Sequence, residues 1–205
     1  MSLSLKVPWY QKQQALEYGA IRDPLAGIWY VPDGLSEEYH RFEQWFPLKS
    51  PGFILPGGPI LFSTSIVCPQ CGKDTDIVGL GTDGAYTRDT WTMGCWVYDF
   101  ELGHLFNVTA MDDRLKKLLK KEAPSYFRDW DFFKRGKHWL NHCRHCETPV
   151  FEHLLYSTDG YFCEDIEKKV FQVKNLNLPF FTLLKCSRYY GYALEAIYDQ
   201  YLERK

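Results

Sequence analysis

The fold of this chain is decided by two short stretches of sequence, Cys68-Pro69-Gln70-Cys71-Gly72 and Cys143-Arg144-His145-Cys146-Glu147. Each contains a Cys-x-x-Cys pair, whose two thiolates can occupy adjacent corners of a tetrahedron from one tight turn. Zinc has no geometric preference of its own, so it accepts a second such turn opposite the first. The two pairs together therefore predict one metal site.

The residues around the cysteines indicate how tight each turn is. Pro69 fixes one backbone angle of the first turn, and Gly72 lets the chain curl beneath the metal without a Cβ clash. Glu147 stands where the second turn would place that glycine. The second turn must therefore be looser, or Glu147 must adopt an unusual backbone angle.

The predicted site is a structural zinc ion held by four thiolates. Residues 72–142 separate the two pairs, more than the roughly 15–20 residues of a compact zinc ribbon, so an insertion must leave the site and return to it. Reduced free thiols and a redox-active pair are the alternatives. The predicted ligands are Cys68, Cys71, Cys143 and Cys146.

Two histidines are close enough in sequence to compete for the metal. His145 lies inside the second turn and should point away from an ion held by both flanking cysteines, and His142 precedes that turn. A catalytic zinc needs an open position, usually with histidine among three protein ligands. The chain also lacks nucleotide-binding, nucleophile-elbow and zinc-protease motifs. We therefore expect a non-enzymatic protein, with a novel enzyme as the less favoured alternative.

The composition predicts a folded protein that does not enter a membrane. The 205 residues are 45% hydrophobic and 17% aromatic, enough for a substantial core. The sequence does not begin with a secretory signal pattern, and no apolar run reaches the ~18–20 residues that span a membrane. We therefore expect a cytoplasmic location, where disulfides are disfavoured. Cys95, Cys163 and Cys186 are then expected to be buried thiols.

Positive charge is concentrated in one part of a chain whose net charge is −2. Residues 110–146 hold ten Lys or Arg against five Asp or Glu. Solvated helix faces with internal ion pairs would explain this excess, and a patch for nucleic acid or an acidic protein is the alternative. The candidate contact residues are Lys116, Lys117, Lys120, Lys121, Lys134, Arg135, Lys137 and Arg144.

The first 46 residues predict a small β-α-β module followed by a helix. Residues 3–7 alternate as a half-buried strand does, and residues 9–18 should form a helix capped by Gly19. A second strand is expected at residues 28–31. The following helix, at about 36–45, should bury one apolar face made of Leu35, Tyr39, Phe42 and Phe46.

Part of this module is similar to a known family. The matching positions are Leu5-Lys6-Val7-Pro8, Ala15 to Ala20, Asp23-Pro24 and Trp29-Tyr30-Val31-Pro32. They resemble the small domain of unknown function that accompanies plasmid-transfer primases of the TraC type and antirestriction proteins. The family usually has Arg-Trp where this chain has Ile21-Arg22. The resemblance implies association with proteins of mobile elements and of interbacterial conflict, and it brings no catalytic residue.

Residues 47–59 hold seven Pro or Gly residues and predict an irregular connector between the module and the rest of the chain. Residues 60–205 then predict a split zinc-ribbon domain. Its first half should be a hairpin of strands 60–67 and 75–80, with the first cysteine pair in the turn. Residues 81–138 form the predicted insertion.

Four further elements are predicted in and beyond the insertion. Partial alternation within 91–106 predicts strands that bury Trp91, Met93, Cys95, Val97 and Phe100. An amphipathic helix is expected at 112–122, and a terminal helix at 189–203, where Tyr190, Leu194, Ile197 and Tyr201 share one face. Trp139-Leu140-Asn141-His142-Cys143 resembles the second half of split zinc ribbons in uncharacterised bacterial proteins, which implies an outgoing strand at 151–156.

The predicted fold class is α+β, with a β-α-β module joined to an elaborated zinc ribbon that carries inserted helices and a C-terminal helix. The predicted function is a zinc-binding protein that mediates protein–protein interaction, for example an immunity or inhibitor protein or an accessory factor of a mobile element. A nucleic-acid-binding zinc ribbon that uses residues 110–146 is the alternative. Exposed aromatic side chains beside the lysines would favour this alternative.

Overall fold

A computed structural model describes residues 2–89, 94–157, 159–163, 169–189 and 195–199. The predicted α+β class is confirmed, because strands and helices both contribute and three separate sheets form. The strands are β1 (Leu3–Leu5), β2 (Ile21–Arg22), β3 (Trp29–Val31), β4 (Phe53–Leu55), β5 (Ile60–Val67), β6 (Asp74–Thr82), β7 (Ala85–Arg88), β8 (Trp96–Asp99), β9 (Gly103–Met111), β10 (Tyr126–Asp131), β11 (Gly136–His142), β12 (Pro149–Val150), β13 (Gln172–Asn175) and β14 (Thr182–Tyr189). The helices are α1 (Lys12–Glu17), α2 (Tyr39–Phe42), α3 (Asp113–Glu122) and α4 (Glu152–Tyr156).

The largest sheet has eight strands in the order β13-β5-β6-β9-β14-β4-β7-β8, and every neighbouring pair is antiparallel. The predicted hairpin is confirmed as β5 and β6, which pair along their whole length from Ile60↔Gly81 to Val67↔Asp74. The predicted insertion supplies β7, β8 and β9 to the same sheet. The hairpin that carries the first cysteine pair is therefore anchored in the main body of the protein.

The N-terminal module contains the predicted strand, helix and strand, with one addition. β1 and β2 both pair with β3, and α1 is preceded by a 3₁₀ turn at Trp9–Gln11. Gly19 has a φ of +90°, which confirms the predicted left-handed helix cap. β2 was not predicted, because two residues are too few to show an alternating pattern.

The continuous helix predicted at about 36–45 is wrong. The structure has a 3₁₀ helix at Asp33–Glu38, the single turn α2, and another 3₁₀ turn at Glu43–Trp45. The buried side chains Tyr39, Phe42 and Trp45 follow at intervals of three, which fits the three residues per turn of a 3₁₀ helix.

The predicted connector at 47–59 is not irregular throughout, because it contains β4, which lies between β14 and β7. The module on its N-terminal side does not have a core of its own. Trp29 and Phe42 belong to one apolar cluster with Ile54, Trp96 and Phe181 of the main sheet. Residues 2–46 therefore pack directly onto this sheet.

The side-chain orientation predicted around β8 is wrong. Trp96 is 2% exposed, whereas Val97 is 46% and Phe100 80% exposed, and Cys95 is half-buried. A shift of one residue turns every side chain of a strand to its other face. Burial of the large Trp96 ring, whose Nε1 donates to Glu43 at 2.8 Å, sets this orientation. Trp91 and Met93 lie outside the described residues.

The predicted strand at 151–156 and the predicted helix at 189–203 have different outcomes. The strand predicted at 151–156 is wrong, because α4 occupies this segment and buries Glu152 and Leu155, three residues apart, on one face. In the predicted helix at 189–203, Tyr189 ends β14, and residues 195–199 are helical with Ile197 buried. Tyr190, Leu194 and Tyr201 lie outside the described residues.

The helix predicted at 112–122 is confirmed as α3, and Asp112 caps it. The Asp112 side chain accepts hydrogen bonds from the backbone N–H groups of Arg114 at 3.0 Å and Leu115 at 3.1 Å. Its second oxygen accepts from the Leu183 backbone N–H at 3.1 Å, so the same carboxylate ties α3 to β14.

No helix within the described parts of the chain has the length and apolar character needed to cross a membrane.

We predict that Asp112→Ala lowers the free energy of unfolding by about 2–4 kcal/mol, because it removes a helix cap and leaves the buried Leu183 N–H unpaired. The neighbouring Asp113 is exposed and pairs with Lys116, so Asp113→Ala should cost much less. Denaturant titration measures both values. Equal losses in the two variants would contradict the role of Asp112.

Candidate metal centre

The first cysteine pair lies in the turn that joins β5 to β6. The Cys68 backbone N–H donates to the Lys73 carbonyl at 2.9 Å, and the Gly72 N–H donates to the Cys68 carbonyl at 2.9 Å. Gly72 has a φ of +71°, in the left-handed region that favours glycine. The glycine is favoured here by its backbone angle and not by the predicted Cβ clash, because a Cβ at Gly72 would meet no protein atom within 4 Å.

The second pair, between β11 and β12, repeats the same turn. The Cys143 N–H donates to the Thr148 carbonyl at 3.0 Å, and the Glu147 N–H donates to the Cys143 carbonyl at 2.9 Å. Glu147 has a φ of +57°. Of the two outcomes that the sequence left open, the turn keeps its tight form and Glu147 adopts the unusual backbone angle.

The four sulfur atoms have the spacing of a tetrahedral metal site. The Sγ atoms of Cys68 and Cys146 are 3.7 Å apart, as are those of Cys71 and Cys143, and all four lie within 4.8 Å of one another. A tetrahedron with metal–sulfur bonds of 2.3 Å has sulfurs about 3.8 Å apart, whereas a disulfide would need about 2.05 Å. The predicted ligands are thus brought together and can hold a metal ion.

The pKa values of two of these thiols, Cys71 and Cys143, are shifted in opposite directions. Burial raises the pKa of Cys143, but the backbone N–H groups of His145 and Cys146 outweigh this effect and lower the pKa to about 6. The Lys73 N–H favours the thiolate of Cys71, yet burial and the neighbouring sulfurs raise its pKa to about 11. A bound cation would remove this conflict, because it stabilises all four thiolates together.

Side chains from the surrounding strands hold the two turns against each other. The Asn141 amide is 2% exposed, and its Oδ1 accepts from the Val78 N–H while its Nδ2 donates to the Val78 carbonyl, both at 2.8 Å. The buried Thr75 hydroxyl accepts from the Arg144 N–H at 3.0 Å. β11 is thereby joined to β6 beside the sulfurs. The spacing of the cysteines did not predict these contacts. Asn141 nevertheless belongs to the stretch Trp139-Leu140-Asn141-His142-Cys143, which resembles part of other split zinc ribbons.

The two competing histidines face other partners. His145 Nε2 lies 3.0 Å from the Asp74 carbonyl. The His142 ring stacks on Phe127 at 3.6 Å, and its Nε2 lies 3.3 Å from an Asp129 oxygen. Neither ring belongs to the sulfur cluster, and the described residues gather no second group of potential metal ligands.

The prediction that Cys163 and Cys186 are buried is wrong, because both residues are half-buried. Burial nevertheless raises the pKa of both thiols.

The predicted basic residues do not form a single free patch. Three of them make ion pairs within the chain, namely Lys116 with Asp113, Lys134 with Glu152 and Arg144 with Asp76. The exposed lysines on α3 are Lys117, Lys120 and Lys121. The other two residues belong to the β10–β11 hairpin, where Arg135 occupies the turn and Lys137 pairs with Trp130 across the strands.

Four aromatic side chains on or beside β10 are exposed. The exposed fractions are 42% for Phe127, 44% for Trp130, 72% for Phe132 and 68% for Phe133. β10 is an edge strand of the sheet β10-β11-β12, so one side of its backbone is also unpaired within that sheet. We name these four side chains the hairpin aromatics. Exposure of Trp130, Phe132 and Phe133 is the observation that the nucleic-acid alternative requires.

No family model, no curated protein and no solved structure matches the chain. The similarity of residues 3–33 to the domain that accompanies plasmid primases stays a prediction.

We predict opposite effects for matched changes in the two turns. Glu147→Gly should stabilise the metal-loaded protein by roughly 1 kcal/mol, because glycine adopts a positive φ without strain. Gly72→Ala should destabilise it by roughly 1 kcal/mol, since a Cβ there meets no atom within 4 Å and only the backbone angle opposes it. Denaturant unfolding of both variants checks this, and shifts of the same sign would contradict it.

Proposed function

We propose that the four cysteines hold one zinc ion and that this ion has a structural role. The supporting observation is the sulfur spacing, which fits zinc–thiolate bonds from two identical turns. Four protein thiolates would fill the shell of a tetrahedral ion and leave no position for substrate or water. Zinc is preferred to other metals because four thiolates select zinc or iron, and zinc requires no redox partner.

The metal should be needed for folding. Purified protein is expected to contain one zinc per chain, and Cys68→Ser or Cys143→Ser should lose the metal and become misfolded or insoluble. Cys163→Ser is the matched control, because this thiol lies outside the cluster. Elemental analysis and circular dichroism check these outcomes. A fully folded wild-type protein without metal would contradict the proposal.

We further propose that the protein is a non-enzymatic binding protein that contacts another protein through Trp130, Phe132 and Phe133 of the hairpin aromatics, since Phe127 lies on the other face of the sheet from Trp130. Aromatic side chains are enriched at the energetic centres of protein interfaces, where exclusion of water makes them effective anchors. The edge of β10 has no neighbouring strand within the described sheet, but the backbone N–H groups of Tyr126 and Trp130 already donate to Ala123 and Asp129, so the side chains carry the proposal. The three internal ion pairs reduce the charge left for phosphate groups, which favours a protein partner.

Binding of single-stranded nucleic acid is the second candidate, and one observation favours it. Trp130 is exposed on the same face of the hairpin as Arg128 and Lys137. α3, with its exposed lysines, packs through Leu119 against Tyr126 and Trp139, which lie further along that face. Cations beside an exposed ring are the arrangement that binds phosphates and stacks on bases.

The biological setting of the protein partner is inferred from the N-terminal resemblance. It suggests a cytoplasmic immunity or inhibitor protein, or an accessory factor of a mobile element. The partner would then be an effector that the protein neutralises or a component of the transfer machinery. The metal site is compatible with each of these settings.

Salt dependence separates the two candidates. A protein partner captured from the native host should remain bound at ~0.3 M salt and be lost in Trp130→Ala or Phe132→Ala. The second candidate predicts that single-stranded nucleic acid binds with sub-micromolar affinity at ~0.15 M salt, and the first candidate predicts that it does not. The affinity should then fall in a triple Gln variant of Lys117, Lys120 and Lys121. A triple Gln variant of the exposed Lys12, Lys49 and Lys185, which lie outside α3 and the β10–β11 hairpin, is the charge-matched control.

A further inference from the structure

The four sulfur ligands of the proposed zinc site differ in their exposure to solvent. Cys68 and Cys143, the first cysteines of their turns, are each 1% exposed, whereas Cys71 is half-buried and Cys146 is exposed. A dissolved oxidant can therefore approach Cys146 more easily than it can approach the other three ligands. Sulfur that binds a metal is in its thiolate form, which is also the form that oxidants attack.

The long side chains of the second turn have partners away from the Cys146 sulfur. The Arg144 guanidinium pairs with Asp76 at 3.3 Å, and the His145 ring faces a backbone carbonyl at 3.0 Å. Thr148 does contact this sulfur, with its Oγ1 atom 3.3 Å from the Cys146 Sγ atom. A hydroxyl that donates to a thiolate draws electron density from the sulfur and slows its reaction with an oxidant. Thr148 therefore moderates the reactivity of the exposed ligand.

The distances between the sulfur atoms indicate which second cysteine would react. The two pairs at 3.7 Å each join one turn to the other, Cys68 with Cys146 and Cys71 with Cys143. A disulfide needs about 2.05 Å between its sulfur atoms, so the Cys68 sulfur is close enough to reach an oxidised Cys146 with a small movement. The resulting bond would connect the same two turns that the metal connects.

We infer that hydrogen peroxide converts Cys146 and Cys68 to a disulfide and thereby releases the zinc ion, an inference that rests on the proposed zinc site. First, the Cys146 thiolate attacks one peroxide oxygen, the O–O bond breaks, and a sulfenic acid and a hydroxide ion form. Then the Cys68 thiolate attacks the sulfenic sulfur and displaces a second hydroxide ion. Two thiolates and one peroxide give one disulfide and two hydroxide ions, so the sulfurs are oxidised and the peroxide is reduced.

Release of the metal follows from the loss of two of its four thiolates. Cys71 and Cys143 alone would fill half of a tetrahedral shell, which is too little to retain the ion. The new disulfide would replace the metal as the link between the two turns. A dithiol reductant would restore both thiols by disulfide exchange, so the change is reversible. The zinc site is in this way a redox-sensitive connection between the two halves of the chain.

The first experiment adds hydrogen peroxide to full-length, zinc-loaded protein in the presence of a zinc-sensitive dye. One zinc ion should be released for each disulfide formed, and mass spectrometry of an unreduced digest should find Cys68 joined to Cys146. Dithiothreitol and added zinc should then restore the metal content. Protein that contains no zinc before oxidation would overturn the proposed function itself. Protein that contains zinc and retains it in excess peroxide would overturn this inference alone, as would a disulfide within one turn, between Cys68 and Cys71 or between Cys143 and Cys146.

A threonine variant tests whether Cys146 is the sulfur that peroxide attacks. Thr148→Val keeps the shape of the side chain but removes the hydroxyl beside this sulfur, so peroxide should release zinc roughly two- to threefold faster than from the wild type. Thr109→Val is the matched control and should react at the wild-type rate, because the Thr109 hydroxyl contacts the Lys185 carbonyl instead. Both variants should contain one zinc ion before oxidation. An unchanged or slower release from Thr148→Val would overturn the assignment of Cys146 as the attacked sulfur.

Discussion

The meeting of four cysteine sulfurs is the constraint on which the rest of this structure depends. It joins the turn after β5 to the turn after β11, and everything between them must leave the site and come back to it. Without a cation, four sulfur atoms lie within 4.8 Å of one another in a partly buried site, and the pKa values of Cys71 and Cys143 are shifted in opposite directions. When a cation is bound, its attraction for each thiolate outweighs the repulsion among the thiolates, and the free energy of metal binding contributes to the free energy of folding.

The segment between the two cysteine turns, residues 72–142, is not a long loop, because it supplies central strands of the main sheet. β9 pairs with β6 on one side and with β14 on the other, so the first cysteine turn is attached to the whole body through β6. The second turn is attached through Asn141, whose amide pairs with the backbone of Val78 as a neighbouring strand would. The metal site and the sheet thus stabilise each other, and the surfaces available for binding lie at the edges of this framework.

Features that depend on short-range chemistry could be predicted from the sequence. The spacing of the cysteines predicted which four thiols come together, the apolar pattern predicted α3, and the β-rich segments around Cys68 predicted the hairpin. Features that depend on tertiary packing could not be predicted in this way. Which face of β8 is buried depends on Glu43, which is distant in sequence and binds the Trp96 ring. The cavity lined by Asp33, Pro56, Tyr86, Tyr98 and Phe181 likewise joins residues from five separate segments.

The central claim is that one zinc ion bound by four sulfurs holds the two halves of the chain together, and X-ray absorption spectroscopy at the zinc edge tests it most directly. The account predicts a single shell of four sulfur atoms at about 2.3 Å in the purified protein. A shell with nitrogen or oxygen atoms at about 2.0–2.1 Å, which would require ligands other than the four cysteines, would contradict it.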